Sequence, residues 1–215
     1  MKQFAVIGLG RFGSSVARTL ARAGAEVLAI DSEEERVQEM AAVVTHAVQA
    51  DATDEEALKA LGVRNVDVAV VSIGQDMEAS IMATLILKEL GVKSIVAKAL
   101  NDLHGKVLAK VGADRVVYPE RDMGMRVAHS LLSGNFLDYI ELAPNYSIVE
   151  LVAGPEFHHK TLRELGLRAR YGINIMAIKR GEEIKVSPGA EDIIMEGDVL
   201  VAMGEDRQLE KLQNR

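Results

Sequence analysis

The chain has 215 residues, enough for one or two domains with a full core. It is 48% apolar and 4% aromatic, has neither Trp nor Cys, and carries a formal charge of −7. That composition excludes disulfide and thiolate chemistry, argues against a basic nucleic-acid surface, and calls for an aliphatic core such as a Val/Ile/Leu-rich parallel sheet.

In chain order, the apolar run Ala5-Val6-Ile7 predicts a strand that enters the turn Gly8-Leu9-Gly10-Arg11-Phe12-Gly13, followed by a helix from Ser14. The spacing Gly-x-Gly-x-x-Gly has a physical reading. The first glycine makes the turn, the second admits a pyrophosphate to the backbone, and the third brings helix and strand close. The next strand, Glu26 to Ile30, ends at Asp31, an acid placed to hydrogen-bond a ribose diol, with Ser32 beside it. Further strands are expected at Val43–Val48, Val66–Val71, Ser94–Lys98 and Arg115–Tyr118, alternating with helices such as Ser80–Leu90 and Asp102–Val111. Helix ends at Gly24, Gly62, Gly91 and Gly112 repeat one stop signal, a glycine just past the last turn. This alternation predicts an α/β, Rossmann-like, doubly wound parallel sheet.

The crevice at the carboxyl ends of such strands is where ligands bind. It collects Asp51, Ala52 and Thr53 after the third strand, Ile73 and Gly74 after the fourth, and Lys98 at the end of the fifth. Arg11, inside the glycine turn, suits a further phosphate better than a nicotinamide. Beyond the sheet a helix runs from about Glu120 to Gly134, and the texture then changes to short strands and tight turns: a small α+β C-terminal lobe. Its strands are expected at Leu137–Leu142, Ser147–Val152, Ile173–Lys179, Ile184–Val186 and Val199–Met203, with short helices at Leu162–Leu165 and Asp206–Leu212. The division is therefore 1–119, nucleotide-binding; 120–136, connecting helix; 137–215, C-terminal lobe.

A dehydrogenase is the usual tenant of such a sheet, but the chain lacks its chemistry. None of its four tyrosines has a lysine four residues on, and the adjacent His158-His159 point to opposite faces if on a strand and are solvated if on a loop, which speaks against a metal site. No run of about 18 apolar residues spans a bilayer and no signal peptide precedes the first strand, so a cytoplasmic protein is expected.

The glycine turn, Asp31, Ala50-Asp51-Ala52-Thr53, Gly112-Ala113-Asp114-Arg115 and Pro119-Glu120-Arg121-Asp122-Met123-Gly124 together resemble an RCK (regulator of potassium conductance, or KTN) domain. Asp192-Ile193-Ile194-Met195-Glu196-Gly197-Asp198-Val199-Leu200-Val201 resembles the signature of the RCK C-terminal lobe, so nearly the whole chain is covered. The likeness is in particular to the soluble regulatory subunits of Ktr-type potassium-uptake systems, made of TrkA-N and TrkA-C lobes. It implies no catalysis. It implies a homo-oligomer, an octameric ring built from dimers, at the inner face of the membrane under a membrane-embedded potassium channel subunit, with no nucleic acid bound. ATP and ADP would set different ring shapes. Arg11 matches an arginine that reaches the γ-phosphate in the adjoining subunit, and Glu120 matches an acid that holds a cation such as Mg, Ca or Na. NAD(H) also fits Asp31, which leaves open an NAD(H)-dependent oxidoreductase or an NAD(H)-sensing regulator. In the C-terminal lobe, Arg168, Asn174, Ile175 and Pro188 match residues of a cyclic di-AMP site.

Overall fold

The protein is described from a computed structural model, which covers residues 2–132 and 136–213. Contacts divide it into two compact units, Met1–Glu120 and Arg121–Arg215. Among the described residues no helix is long and apolar enough to cross a membrane.

In the first unit, β1 (Gln3–Ile7), β2 (Glu26–Asp31), β3 (His46–Gln49), β4 (Val68–Val71), β5 (Ile95–Lys98) and β6 (Arg115–Val117) form one parallel sheet in the order β3-β2-β1-β4-β5-β6. Between them run α1 (Arg11–Arg22), α2 (Glu34–Ala41), α3 (Glu55–Ala60), α4 (Met77–Glu89) and α5 (Asp102–Val111). The inner strands β1, β2, β4 and β5 are largely buried on both faces, which is why they read as continuous apolar runs, whereas the edge strands β3 and β6 are not. Along β1 the alternation is direct: Ala5 and Ile7 enter one core layer with Leu58, Leu87 and Leu108, while Val6 enters the other with Ala17, Val27 and Met40. Each of the fully buried Val, Leu, Ile and Met side chains among them contributes about 1.5–3 kcal/mol, and each Ala less, so the two layers supply much of the driving force. The strand order reverses between β1 and β4, and that reversal opens the crevice.

The predicted third strand is corrected at its start. Val43 and Val44 both donate their N–H to the carbonyl of Met40, so they finish α2 rather than begin β3. Their side chains still pack into the core, which is why they carry a strand-like pattern. The glycine stops hold, with Gly62 at φ 73° and Gly91 at φ 81°.

The next helix, α6 (Pro119–Leu132), starts at the end of the first unit; its predicted terminus at Gly134 lies outside the described residues. In the second unit, β7 (Phe136–Ala143), β8 (Tyr146–Val152), β10 (Asn174–Arg180), β11 (Glu183–Val186) and β13 (Val199–Glu205) form an antiparallel sheet ordered β11-β10-β13-β8-β7. A two-stranded ladder, β9 (Lys160–Thr161) with β12 (Ile193–Ile194), and the helices α7 (Leu162–Leu165), α8 (Leu167–Tyr171) and α9 (Asp206–Gln213) complete the unit. Val149, Leu151, Leu200 and Ala202 alternate onto the face that holds the core with Ile173, Ile194 and Leu209. Helix α8 was not foreseen: five residues between the positive-φ glycines Gly166 and Gly172 are too short to show a helical period.

Candidate functional site

The site grows from the end of β1. Gly8 takes φ 89°, and a Cβ there would stand 2.9 Å from the backbone nitrogen of Ile73. Its N–H donates to the carbonyl of Ile30 at 2.8 Å, while the buried Ser72 hydroxyl donates to the Gly8 carbonyl, with the Ile7 carbonyl at 3.1 Å. At Gly13 a Cβ would run into that same Gly8 carbonyl and the Ser72 hydroxyl. The first and third glycines are therefore dictated by protein atoms. Gly10 is different. Its φ of −63° is open to any residue, and among the described residues no atom beyond its chain neighbours lies within 4 Å of where its Cβ would be. Among the described residues nothing requires a glycine there, and the space beside it leaves room for a ligand to approach the backbone.

Gly10 is also the N-cap of α1, which has neither a side-chain cap nor an acid in its first turn. By contrast Asp54, Asp76 and Asn101 cap α3, α4 and α5 through Ala57, Ala79 and His104. The N–H groups at the start of α1 thus keep their positive end for an outside anion.

Asp31 stands behind this turn. Its side chain is 4% exposed, accepts the N–H of Leu9 at 2.5 Å and of Glu33 at 2.9 Å, and faces the Arg36 guanidinium at 3.5 Å. Each carboxylate oxygen has a second lone pair, so a ribose hydroxyl can still be met. Ser32 is exposed, and its carbonyl accepts from Gln49 at 2.9 Å. On the far side of β2, the Asp51 carboxylate accepts from the Thr53 N–H at 2.8 Å and hydroxyl at 2.7 Å; these two bonds hold its pKa below the usual carboxylate range. The side chain of Ala52 is taken up by the core, leaving only its backbone for a ligand.

Across the crevice, the mostly buried Lys98 side chain meets Glu120 at 2.5 Å, lies near Gly74, and sits 6.0 Å over the ring of Phe12. Lys98 foremost, with the charge of Arg11 adding, lowers the pKa of Glu120. Arg11 itself is exposed. The structure therefore joins the glycine turn, Asp31, Ile73, Gly74, Lys98 and Glu120 into one constellation, with Asp51–Thr53 at its flank. Sequence reasoning missed Ser72 as the pin between β1 and β4, and missed that Lys98 and Glu120 face each other. The first left only a small hydroxyl at a strand end, and the second joins residues 22 positions apart. Among the described residues no three His, Asp or Glu side chains gather as a metal ion would require. His158 contacts the Ala153 carbonyl at 3.0 Å, a structural use.

In the second unit Arg168 lies exposed on α8, Asn174 and Ile175 start β10, and Pro188 is half-buried in the loop after β11. No hydrogen bond or ion pair joins these four among the described residues. The signature around Asp198 has a structural explanation. Its buried carboxylate accepts both arms of the Arg180 guanidinium at 2.7 Å and the Met195 N–H at 2.8 Å, closing the turn through Gly197.

Comparison with known proteins gives two family matches: the TrkA-N domain over residues 4–119 and the TrkA-C domain over residues 146–215. The Ktr system potassium uptake protein C of Bacillus subtilis is 51% identical, over 100% of this chain and 97% of its own length. The Ktr system potassium uptake protein A of the same organism is 50% identical, over 99% and 96%. Among solved structures, the GsuK RCK domain superposes with a TM-score of 0.71 at 22% identity, over 100% of this chain and 48% of that one. The GsuK channel bound to NAD has a TM-score of 0.51 at 25% identity, over 100% and 38%.

Proposed function

The chain belongs to the RCK family, with its TrkA-N and TrkA-C domains, and we propose that it is a nucleotide-sensing regulatory subunit of a potassium transporter. The observation that carries this reading is Gly10: a glycine that neither conformation nor packing requires, at a helix N-terminus without cap or acid. A diphosphate on that helix end answers both features.

In this reading Gly8 to Gly13 hold the phosphates and Asp31, with Ser32, meets the ribose. Asp51, Ala52 and Thr53 border the adenine, while Ile73, Gly74 and Lys98 close the other wall. Arg11, exposed and permanently charged, reaches the γ-phosphate of a nucleotide in an adjoining copy, so ATP and ADP differ in what they bind together. Only such a difference shifts an equilibrium between two ring shapes. Glu120 supplies one carboxylate toward a Mg, Ca or Na ion; the other donors would come from phosphate or from a second copy, since the described residues of one chain do not assemble them. When bound, that ion would offset the charge of the triphosphate.

The working assembly is a cytoplasmic ring of copies, an octamer built from dimers, at the inner face of the membrane against a channel subunit. Residues 1–119 sense, 120–136 connect, and 137–215 form the second lobe. Arg168, Asn174, Ile175 and Pro188 of that lobe take cyclic di-AMP as a second ligand. NAD(H) in the first site is the alternative, favoured by the NAD-bound GsuK channel and by the fact that Asp31 serves either ribose. The test is potassium flux into vesicles carrying a Ktr-type membrane subunit together with this protein. Flux that is higher with ATP than with ADP supports the reading; flux indifferent to both, or changed only by NAD or NADH, refutes it.

A further inference from the structure

In the second unit β11 (Glu183–Val186) is an outermost strand of its sheet, paired on one side with β10. The Ser187 N–H donates to the Met176 carbonyl at 2.8 Å. Along this antiparallel ladder Lys185 and Glu183 therefore also turn their backbone groups to β10, while those of Ile184 and Val186 point away. Both of these side chains are apolar and exposed, at 59% and 72%. An edge of this kind is a template for another strand.

A groove of about 740 Å³ opens beside the edge, lined by Ile178, Arg180, Ile184, Lys185, Ile193 and Met195 among others. None of the four residues assigned above to cyclic di-AMP lines it. Its charge is one-sided. From Glu182 to Asp198 the chain carries six acids and a single base, Lys185. The two cations of the lining are already committed, Arg180 to Asp198 at 2.7 Å and Lys185 to Asp192 at 2.5 Å. Glu182, Glu183 and Glu196 are in no ion pair among the described residues.

We propose that this edge and groove dock an extended, basic cytoplasmic segment of the membrane subunit, added to the sheet as a strand beyond β11. The proposal rests on the reading of the chain as a regulatory subunit and gives that reading a contact surface. The chemistry of the occupant follows from the surface. An extended backbone pairs with Ile184 and Val186, its alternate apolar side chains cover Ile184, Ile193 and Met195, and Lys or Arg between them meets Glu182, Glu183 and Glu196. Cytoplasmic loops of membrane proteins carry an excess of Lys and Arg, the charge that this groove lacks. With only two residues facing outward the ladder is short, so binding needs the backbone pairing and the charge together.

The test is binding of the full chain to a labelled peptide of alternating Lys and Val, read by fluorescence anisotropy. A Glu/Val peptide and a fully N-methylated Lys/Val peptide, which keeps its charge and loses its donors, serve as controls. The Lys/Val peptide should bind and both controls should fail; equal binding of the N-methylated peptide means charge alone and overturns the proposal. Ile184→Pro removes an outward N–H without touching a bond to β10 and should weaken binding about fivefold or more. Glu182→Gln with Glu183→Gln should weaken it about three- to fivefold and flatten its salt dependence. Unchanged binding in either variant overturns it. Hydrogen exchange of wild type needs no variant: the amides of Ile184 and Val186 should exchange freely in the chain alone and slow when the peptide is added. No slowing overturns the proposal, and protection already present in the chain alone gives the edge to a second copy and overturns it too. The source of the segment is read by flotation with zwitterionic vesicles carrying a Ktr-type membrane subunit. Excess Lys/Val peptide should release most of the bound chain; a peptide that binds the chain and releases none of it overturns the proposal. A chain that never associates with those vesicles removes the regulatory reading itself.

Discussion

The carboxylate of Asp31 accepts the backbone N–H of Leu9 at 2.5 Å, so the acid that ends β2 fixes the middle of the glycine turn that follows β1. Leu9 is itself buried, and its N–H has no water to fall back on. Replacing Asp31 by Ala is expected to cost about 2–3 kcal/mol in urea unfolding, because a buried donor is orphaned. Asp31→Asn keeps an acceptor and should cost less, while both variants should lose nucleotide affinity. Equal stability of Asp31→Ala and wild type would show that the turn holds itself.

Arg11 separates two nucleotides that the rest of the site treats alike. Arg11→Ala should bind ADP as wild type does and lose most of the extra response to ATP, read as the change in assembly mass or shape when ATP replaces ADP. Equal loss of ADP and ATP affinity would place the guanidinium on the phosphates common to both.

In the second unit the fork of Arg180 on buried Asp198 should govern behaviour in acid. Arg180 holds the Asp198 carboxyl below its ordinary range, with the Met195 N–H assisting. A depressed folded-state pKa stabilises above the unfolded value and is lost as pH falls through the folded one, so the contribution should fade below about pH 4. Arg180→Ala leaves the buried Asp198 carboxylate with the Met195 N–H as its remaining hydrogen bond from this fork and turn, and should lower the melting temperature. Acid titration of the melting temperature checks both statements; a variant with the wild-type profile contradicts them.

His104 acts at higher pH and in the same direction. It is fully buried on α5, its Nδ1 accepts the Leu100 N–H at 3.3 Å, and its Nε2 has no partner among the described residues. Burial lowers its pKa, so the unfolded chain takes up the proton first. Stability should therefore be complete above about pH 6.5 and decline as pH falls below it. In His104→Asn, which keeps an acceptor near Nδ1, the slope of melting temperature between pH 7 and pH 5 should flatten. An unchanged slope would assign the effect to other groups.

The parallel sheet was legible because its signals are local: apolar runs of strand length, glycine after α1, α3, α4 and α5, and an acid one strand beyond the glycine turn. The same locality made the glycine turn and Asp31 readable as one site before any contact was known. What escaped depends on distance in the chain or on shortness. Ser72 meets Gly8 from 64 residues away, and Lys98 meets Glu120 across a whole helix-strand unit. Val43 and Val44 misled because apolar residues that end a helix against a sheet look like those that begin a strand. The Asp192–Val201 signature was matched as a pattern, and its physical content, a buried carboxylate clamped by Arg180, became visible only with the fold.

Melting of the full chain with ATP, ADP, NAD and NADH, each at about one hundred times its measured Kd or at a common high concentration where none is found, tests the central claim most directly. ATP and ADP are expected to raise the transition of the first unit by on the order of 5 °C or more, with ATP alone changing the mass of the assembly. Stabilisation by NAD or NADH with indifference to both ATP and ADP would contradict the account.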